Sequence, residues 1–509
     1  MSNYITATQA GEKWGISARR VHTLCSEGRV YGAEKIGRTW MVPIGAPKPA
    51  DARSARYSAI KDDLHLPFGK PIYSIDLFCG PGGLATGLRW AGISPIIAVE
   101  WSDWTVKTYS ASHNAEVMDL QSYLDNPDTL TPYLNPTKRP IVIHGDINDV
   151  DSELLLTLLN KRFELESIDL VTGGAPCESF SMAGDRRVED DRNQLYQNVL
   201  RLARATDAKM ILFENVKGLF SKKKNKNSKP GSMYEYVCDE FEESIPGQPQ
   251  YRLASRDKEK VLLKAVEYGV PQNRERLFLV GINNRYPDLS FEYPTPTHGP
   301  DRGMPYVTVE NAIMDLPQID IGQENEKYSY DPTQIKRNSA QELFLRRMRL
   351  DLSMSPSHIT FREDSLSSHR APGHTKKMLE RFKNIKPGES MKTAYERLLS
   401  ENRKNIAEKY FPNKIYGARN RRLLLDKPSF TVTSHCLDEM IHPTLNRGLS
   451  PREAARLQSF PDWYIFVGPY VKFHSDPEQD QYEQIGDAIP PLLAYALGKE
   501  LAKSLSMQS

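Results

Sequence analysis

From about Ile72 onward, short apolar runs alternate with stretches of helical periodicity. The runs Tyr73–Phe78, Ser94–Val99, Ile141–His144, Ile168–Thr172, Met210–Glu214 and Leu277–Ile282 read as buried strands. Helical stretches fit between most of them. That alternation predicts an α/β fold with a doubly wound, mainly parallel sheet. Sheets of this kind bind ligands beyond the carboxyl ends of their strands. After Pro296 the alternation stops, and polar turns dominate to about residue 445, which predicts a second, smaller lobe. Leu449–Phe460, led by Ser450-Pro451, reads as a helix. Ile489–Leu505, with Pro490 and Pro491 at its start, reads as a closing apolar helix.

The first residues follow a different pattern. Thr8–Trp14 predicts a short helix, Gly15-Ile16-Ser17 a turn, and Ser17–Glu27 a second helix capped by Ser17. Gly28 ends that helix, and Val30–Val42 reads as a hairpin. Gly45–Arg56 is rich in Pro, Ala and Arg and reads as a linker. The chain is therefore expected to divide into residues 1–56, 57–300, 301–445 and 446–509.

Composition narrows the class. The chain has 509 residues, 39% hydrophobic and 26% charged, with a net charge of only +2. No apolar run approaches the roughly 20 residues of a membrane span, and no signal-peptide pattern opens the chain, so a cytoplasmic, membrane-free protein is expected. The five cysteines are scattered, with no CxxC or Cys/His spacing, so neither a metal site nor a disulfide framework is expected. Charge is uneven. Residues 1–56 carry a net +5, and basic residues crowd Lys336–Lys409. Both patterns suit contact with phosphates.

Two segments carry chemistry. Cys177 sits in Gly173-Gly174-Ala175-Pro176-Cys177-Glu178-Ser179-Phe180-Ser181, just past a predicted strand, where Pro176 can hold the thiol in one orientation. Glu214-Asn215-Val216 ends the next strand. A soft nucleophile beside a carboxyl group suits covalent attack on an electron-poor ring. Upstream, Asp76-Leu77-Phe78-Cys79-Gly80-Pro81-Gly82-Gly83 follows the first strand and opens a helix, and its glycines let backbone approach a ligand. The second strand ends in Glu100, placed to accept from ribose hydroxyls, and Trp101 can pack on an adenine face. Asp146, after the third strand, offers a carboxylate to an exocyclic amine. A nucleoside-bearing cofactor follows, and Pro81 favours S-adenosylmethionine over a dinucleotide.

These motifs, in this order, resemble the DNA (cytosine-5) methyltransferases of bacterial restriction–modification type, over about residues 72–300 and 417–503. DLFCGPGG, GGAPCESFS, Asp190–Leu195 (DDRNQL), ENV, Gln272–Arg276 (QNRER), Arg447–Pro461 and Gln484–Pro490 each match a family element. The resemblance implies a Rossmann-like methyltransferase fold with a target-recognition lobe. It implies methyl transfer from S-adenosylmethionine to cytosine C5 in a specific double-stranded DNA sequence, through base flipping and a covalent Cys177 adduct. Glu214 would assist at cytosine N3, and Arg274 and Arg276 would stabilise the base and the Cys177 loop. Asp76, Phe78, Gly80, Gly82, Gly83, Glu100, Trp101, Asp146, Ile147, Pro176, Leu195, Asp487 and Ala488 would line the cofactor site. Two positions depart from the family pattern: Glu178 stands where Gln is usual, and Asp487 where Asn is usual.

The first forty residues resemble the winged helix-turn-helix of excisionase and MerR-like domains, which implies that Arg19 and Arg20 face DNA and that this domain regulates transcription. Gln272, His369 and Arg370 are the other expected DNA contacts. A monomer on DNA, with a cognate restriction endonuclease encoded nearby, completes the expectation. The competing readings are a DNA-binding regulator with little catalysis and an RNA cytosine-5 methyltransferase.

Overall fold

The structure is a computed structural model. It describes residues 4–26, 30, 33–37, 39–43, 70–137, 139–175, 195–225, 227–325, 327, 339–350, 366–472 and 478–506. Pro176, Cys177, Glu178, residues 190–194 and the linker 45–56 lie outside them. Contacts divide the chain into two compact units, Met1–His65 and Leu66–Ser509.

In the first unit, strands β1 (Tyr4–Thr6), β2 (Glu34–Ile36) and β3 (Thr39–Pro43) form an antiparallel sheet in the order β1-β3-β2. Helices α1 (Ala7–Trp14) and α2 (Ala18–Ser26) pack through Ala7, Ala10, Trp14, Val21, Leu24 and Cys25. Thr6 and Gln9 close a capping box on α1. Gly15, with φ 66°, makes the left-handed turn between the helices. Ser17 Oγ accepts from Arg20 N at 3.3 Å, as its sequence position predicts. The strand before α1 has no sequence signal: three residues are too few to show alternation.

The second unit is built on a nine-stranded sheet of β4 (Ile72–Leu77), β5 (Ile93–Glu100), β6 (Glu116–Asp119), β7 (Ile141–His144), β8 (Leu170–Gly173), β9 (Met210–Asn215), β10 (Tyr251–Leu253), β11 (Leu262–Lys264) and β12 (Glu275–Asn283). The order is β10-β12-β9-β8-β4-β5-β7-β6, with β11 also on β12. The run from β9 to β6 is parallel, and β12 joins it antiparallel, carrying β10 and β11. The six strands expected from apolar runs all form, with boundaries shifted by one or two residues. β6, β10 and β11 are short edge or side strands with few apolar residues, which is why the pattern misses them. Because β5 and β8 flank β4, the chain's direction across the sheet reverses there. A loop leaving the carboxyl end of β4 therefore opens at the switch point.

Two cores cover the sheet. One includes Ile75, Leu77, Val99, Ile143, Val171, Phe213 and the helices Tyr196–Ala205 and Ser232–Glu242. The other includes Leu84, Leu88, Phe278, Phe460, Tyr464 and the closing helix Pro491–Ser506. That helix packs against Gly83–Trp90, the helix that follows β4. A Cβ on Gly87 would overlap Ala494 Cβ and Pro491 O. Gly87→Ala should therefore destabilise the unit by about 1–3 kcal/mol through overpacking. A lowered midpoint in urea with an unchanged slope checks this.

The stretch 301–445 does not share one core. Val309, Ile313, Phe344, Leu345 and Met348 pack into the second sheet core. Among the described residues, the helices Lys376–Lys383, Met391–Ser400 and Lys404–Tyr410 build a separate one, around Phe382, Ile385, Met391, Leu398 and Phe411. Polar turns between these pieces hide the difference in the sequence. The element Arg447–Pro461 belongs to the second sheet core through Leu449, Ala454, Leu457 and Phe460. Ser450 caps the helix Pro451–Leu457 in a capping box with Glu453. Three arginines of this element are buried. Arg447 pairs with Glu453 at 2.7 Å, Arg456 pairs with Asp462 and Asp315, and Arg452 donates to Ser367 and Tyr464 carbonyls. Among the described residues no helix is long and apolar enough to cross a membrane.

Candidate active site

Every described residue of the site except the C-terminal pair Asp487–Ala488 and Leu195 sits at or just beyond an edge of the central sheet. β4 ends at Leu77, and the chain then turns sharply. Phe78 has φ 55°, Gly80 φ 54° and Gly82 φ 96°. A left-handed phenylalanine costs about 1–3 kcal/mol and persists only where its surroundings fix it. Here the surroundings are specific. Cys79 N donates to Val99 O at 3.1 Å and Gly82 N to Cys79 O at 3.1 Å. Gly80 N donates to Glu100 Oε2 at 3.0 Å. Behind the loop, His113 Nε2 lies 3.2 Å from Gly82 O and 3.1 Å from the Tyr464 hydroxyl. That hydroxyl in turn donates to Pro81 O. A Cβ at Gly82 would meet the side chains of His113 and Tyr464. One at Gly83 would overlap Ile489 O and lie 3.3 Å from Ala488 Cβ. Ala488 therefore does reach the glycine loop. His113 and Tyr464 carry no motif, and sequence reasoning misses them.

Glu100 is buried, and its Oε1 accepts from Trp101 N at 3.0 Å and Ser102 N at 3.1 Å. Burial pushes its carboxyl above the usual range, while the three backbone amides and His144 oppose that shift. The next side chain, Trp101, is 50% exposed, an unusual position for a large ring. Asp146 is exposed and accepts from Asn148 N at 2.9 Å, starting a short turn that buries Ile147. The buried acceptor, the open ring and the exposed carboxylate stand at the ends of neighbouring strands β5 and β7. This donor set fits a nucleoside. Leu195 is partly buried at the start of the helix Tyr196–Ala205. Asp487 is exposed at the end of the helix Gln481–Asp487 and accepts from Gln479 at 2.9 Å.

Asp76 lies deeper, 1% exposed, accepting from Thr172 Oγ1 at 2.7 Å. Burial, reinforced by Glu100, pushes its carboxyl up to about 7. Because the folded value lies above the unfolded one of 3.8, the folded state holds the proton more tightly. The associated stability is complete below about pH 4 and is lost as pH rises through 7. Asp76→Asn should flatten the fall in urea stability between pH 4 and 7, and parallel pH curves for variant and parent would refute this.

β8 leads into Gly173-Gly174-Ala175, and the next residues are Pro176 and Cys177. On the neighbouring strand β9, Glu214 is 7% exposed. In the antiparallel register Phe278 stands opposite Glu214, so Arg276, two residues along β12, shares its face. Arg276 Nε reaches Glu214 Oε1 at 2.8 Å. Glu214 Oε2 lies 3.0 Å from where a Cβ on Gly174 would stand. A Cβ at 174 would crowd that oxygen, and glycine gives it room beside the turn. Burial raises the Glu214 carboxyl, opposed by Arg276 and then Arg274. Arg274 is buried and donates from Nη1 to Val432 O at 2.7 Å. Its Nη1 is thus bound to the segment after residue 430, while Arg276 forms the ion pair with the acid.

Two of the expected DNA contacts are turned inward here. Gln272 is fully buried, donating to Leu457 O at 2.9 Å and Gln458 Oε1 at 2.8 Å and accepting from Val432 N at 2.9 Å. His369 is also fully buried, between Ser450 Oγ at 2.9 Å and Pro317 O at 2.8 Å. In this arrangement both side chains are engaged by partners within the protein. Both are staples across the unit. Arg370 is exposed, with its guanidinium 5.3 Å from the Tyr470 ring centre. In the first unit, Arg19 is exposed on α2 and Arg20 is half-buried.

Comparisons with known proteins identify the family. Residues 72–131 and 133–503 match the C-5 cytosine-specific DNA methylase family. The type II methyltransferase M.DdeI of Desulfomicrobium norvegicum is 32% identical over 430 residues, covering 84% of this chain and 88% of that protein. M.BspRI of Lysinibacillus sphaericus is 30% identical, covering 84% and 81%. Among solved structures, a prophage-encoded candidate DNA modification methyltransferase of E. coli shares the fold. Its TM-score is 0.59 at 22% identity, with coverage of 85% and 99%.

Proposed function

The chain belongs to the C-5 cytosine-specific DNA methylase family and is a DNA cytosine-5 methyltransferase, and on that premise we propose how its residues divide the work. The observation that carries the reading is Glu214: one oxygen is clamped by Arg276, and the other is turned to the glycine turn that runs into Cys177.

The target base leaves the duplex, at a cost of a few kcal/mol offset by contacts to the flanking DNA. Cys177, as thiolate, adds through Sγ to C6 of the flipped cytosine. A free thiol, with a pKa of about 8.5, is mostly protonated at neutral pH, so the addition needs assistance. Glu214 gives it by holding a proton at N3, which draws the ring's electron pair away from C6. Its raised affinity for protons suits it to that role. Arg276 fixes the carboxyl against β12. C5 then carries the nucleophilic electron pair. S-adenosylmethionine, when bound, supplies the methyl group that C5 accepts. Loss of the C5 proton to solvent leaves its electron pair to form the C5–C6 double bond; Sγ departs from C6 as thiolate, the N3 proton returns to Glu214, and the aromatic ring and Cys177 are restored. Trp101, Glu100 and Asp146 would hold the nucleoside end of the cofactor, and the loop Phe78–Gly83 with Ala488 would hold its methionine part.

We assign the enzyme to the modification arm of a type II restriction–modification system, as with the relatives it matches. Incubation with tritiated-methyl cofactor and plasmid DNA, followed by conversion sequencing, tests this. The expected result is 5-methylcytosine at one recurring sequence. Label in RNA alone, or at no cytosine of DNA, overturns it.

The N-terminal unit supports an added role. Arg19 and His22 are exposed on α2, on a fold of two helices and a small antiparallel sheet. We assign it to binding an operator upstream of the enzyme's own gene. Deleting residues 1–56 should preserve plasmid methylation while abolishing retention of that upstream fragment in a gel-shift assay. Loss of methylation instead would refute a separate regulatory domain.

A further inference from the structure

The three-helix piece with its own core carries a groove that none of the chemistry above uses. It is lined by Lys376, Lys377, Glu380 and Lys383 from one helix and by Lys409 and Tyr410 from another. Elsewhere in this piece cations are matched locally. Lys386, Arg397 and Arg403 meet Glu401, Arg397 also meets Glu389, Lys392 meets Glu396, and Lys404 meets Glu408. In the groove, Lys383 is held by Glu380 at 2.6 Å. Lys376, Lys377 and Lys409 are exposed and form no ion pair among the described residues; Glu380, the one carboxylate lining the groove, is taken by Lys383, and Lys409 lies 5.2 Å from the Tyr410 ring centre.

The position of the first two is electrostatically adverse. They occupy the first turn of the helix Lys376–Lys383, which has no acidic residue there. A helix N-terminus carries partial positive charge, so cations at that end are disfavoured. The arrangement leaves a concentrated positive field that an external anion would neutralise. The groove floor is fixed as well: Arg381 donates to Tyr410 O at 3.0 Å and to Asn420 Oδ1 at 3.0 Å.

We infer that the groove formed by Lys376, Lys377 and Lys409 is a phosphate clamp that grips the DNA backbone outside the base pairs being read. The inference rests on the DNA-methylating reading above and extends it to a separate surface. Lysines act here as point charges, so the clamp adds affinity without adding sequence preference.

The test is equilibrium binding to a 40-bp duplex bearing one target site, at a series of salt concentrations. Replacing Lys376, Lys377 and Lys409 together by alanine should lower the slope of log K against log salt by about 2–3, at about 0.9 per phosphate contact. The triple Lys→Arg variant should keep the parent slope, which a merely structural loss would not predict. A duplex trimmed to the target site should show no difference between the alanine variant and the parent. Identical slopes on the long duplex, in a variant that melts like the parent and still methylates DNA, overturn the clamp alone. Failure of the parent to methylate DNA would overturn the reading beneath it.

Discussion

Cys177→Ala is expected to reduce methyl transfer to background, the largest single effect predicted for this protein. No other residue of the site offers a carbon-attacking nucleophile. Cys79 is buried beside Asp76 and Glu100, which, with desolvation, push its thiol well upward and away from thiolate. Without the Sγ–C6 bond, C5 of cytosine gains no electron pair to attack a methyl group. Filter-bound tritium from labelled cofactor measures the loss. The same variant should still bind duplex DNA in a gel shift, because the flipped base keeps Glu214 and Arg276 as partners. A retained rate above a few per cent would show that the covalent route is wrong.

Glu214→Gln comes second. The amide keeps a hydrogen-bonding group on β9 but cannot donate a proton, so kcat should fall by about 10²–10⁴-fold, the usual range for a positioned acid. Arg276→Met tests the same group from the other side. It removes the largest influence that opposes burial at Glu214. The carboxyl should then hold its proton to higher pH, and the alkaline limb of kcat/KM should move upward even as the rate falls. An alkaline limb that stays in place while the acid limb moves upward would mean that Glu214 acts as an anion throughout.

Much of this site can be read from the chain because its groups lie at strand ends, where apolar runs stop. Asp76, Glu100, Asp146 and Glu214 each follow or close such a run, and the sheet brings them to one edge. What the pattern hides is contact between distant segments. Gln272 looks like a polar residue beside an arginine pair, yet Val432, Leu457 and Gln458 satisfy it completely. His369 is similar, enclosed by Pro317 and Ser450. A polar residue's sequence neighbours do not reveal whether its partners are protein or solvent. His113 and Tyr464 show the converse. They hold the carbonyls of the glycine loop from 31 and more than 380 residues away. The short strands β1 and β11 owe their existence to pairing rather than to their own propensity, and three residues cannot announce that.

The packing of Pro491–Ser506 on Gly83–Trp90 sets an order on synthesis. A ribosome releases the glycine loop well before Tyr464, Ala488 and Ile489, which back it: Tyr464 lies 383 residues beyond Pro81. The nascent chain can pair its first strands, yet the loop stays without its scaffold until those distant segments are out. Long-range closure of this kind is slow, and exposed intermediates are prone to aggregate. A half-made chain therefore holds no finished cofactor site. The spacing of these two helices along the chain thus sets how much polypeptide must be made before the glycine loop is backed.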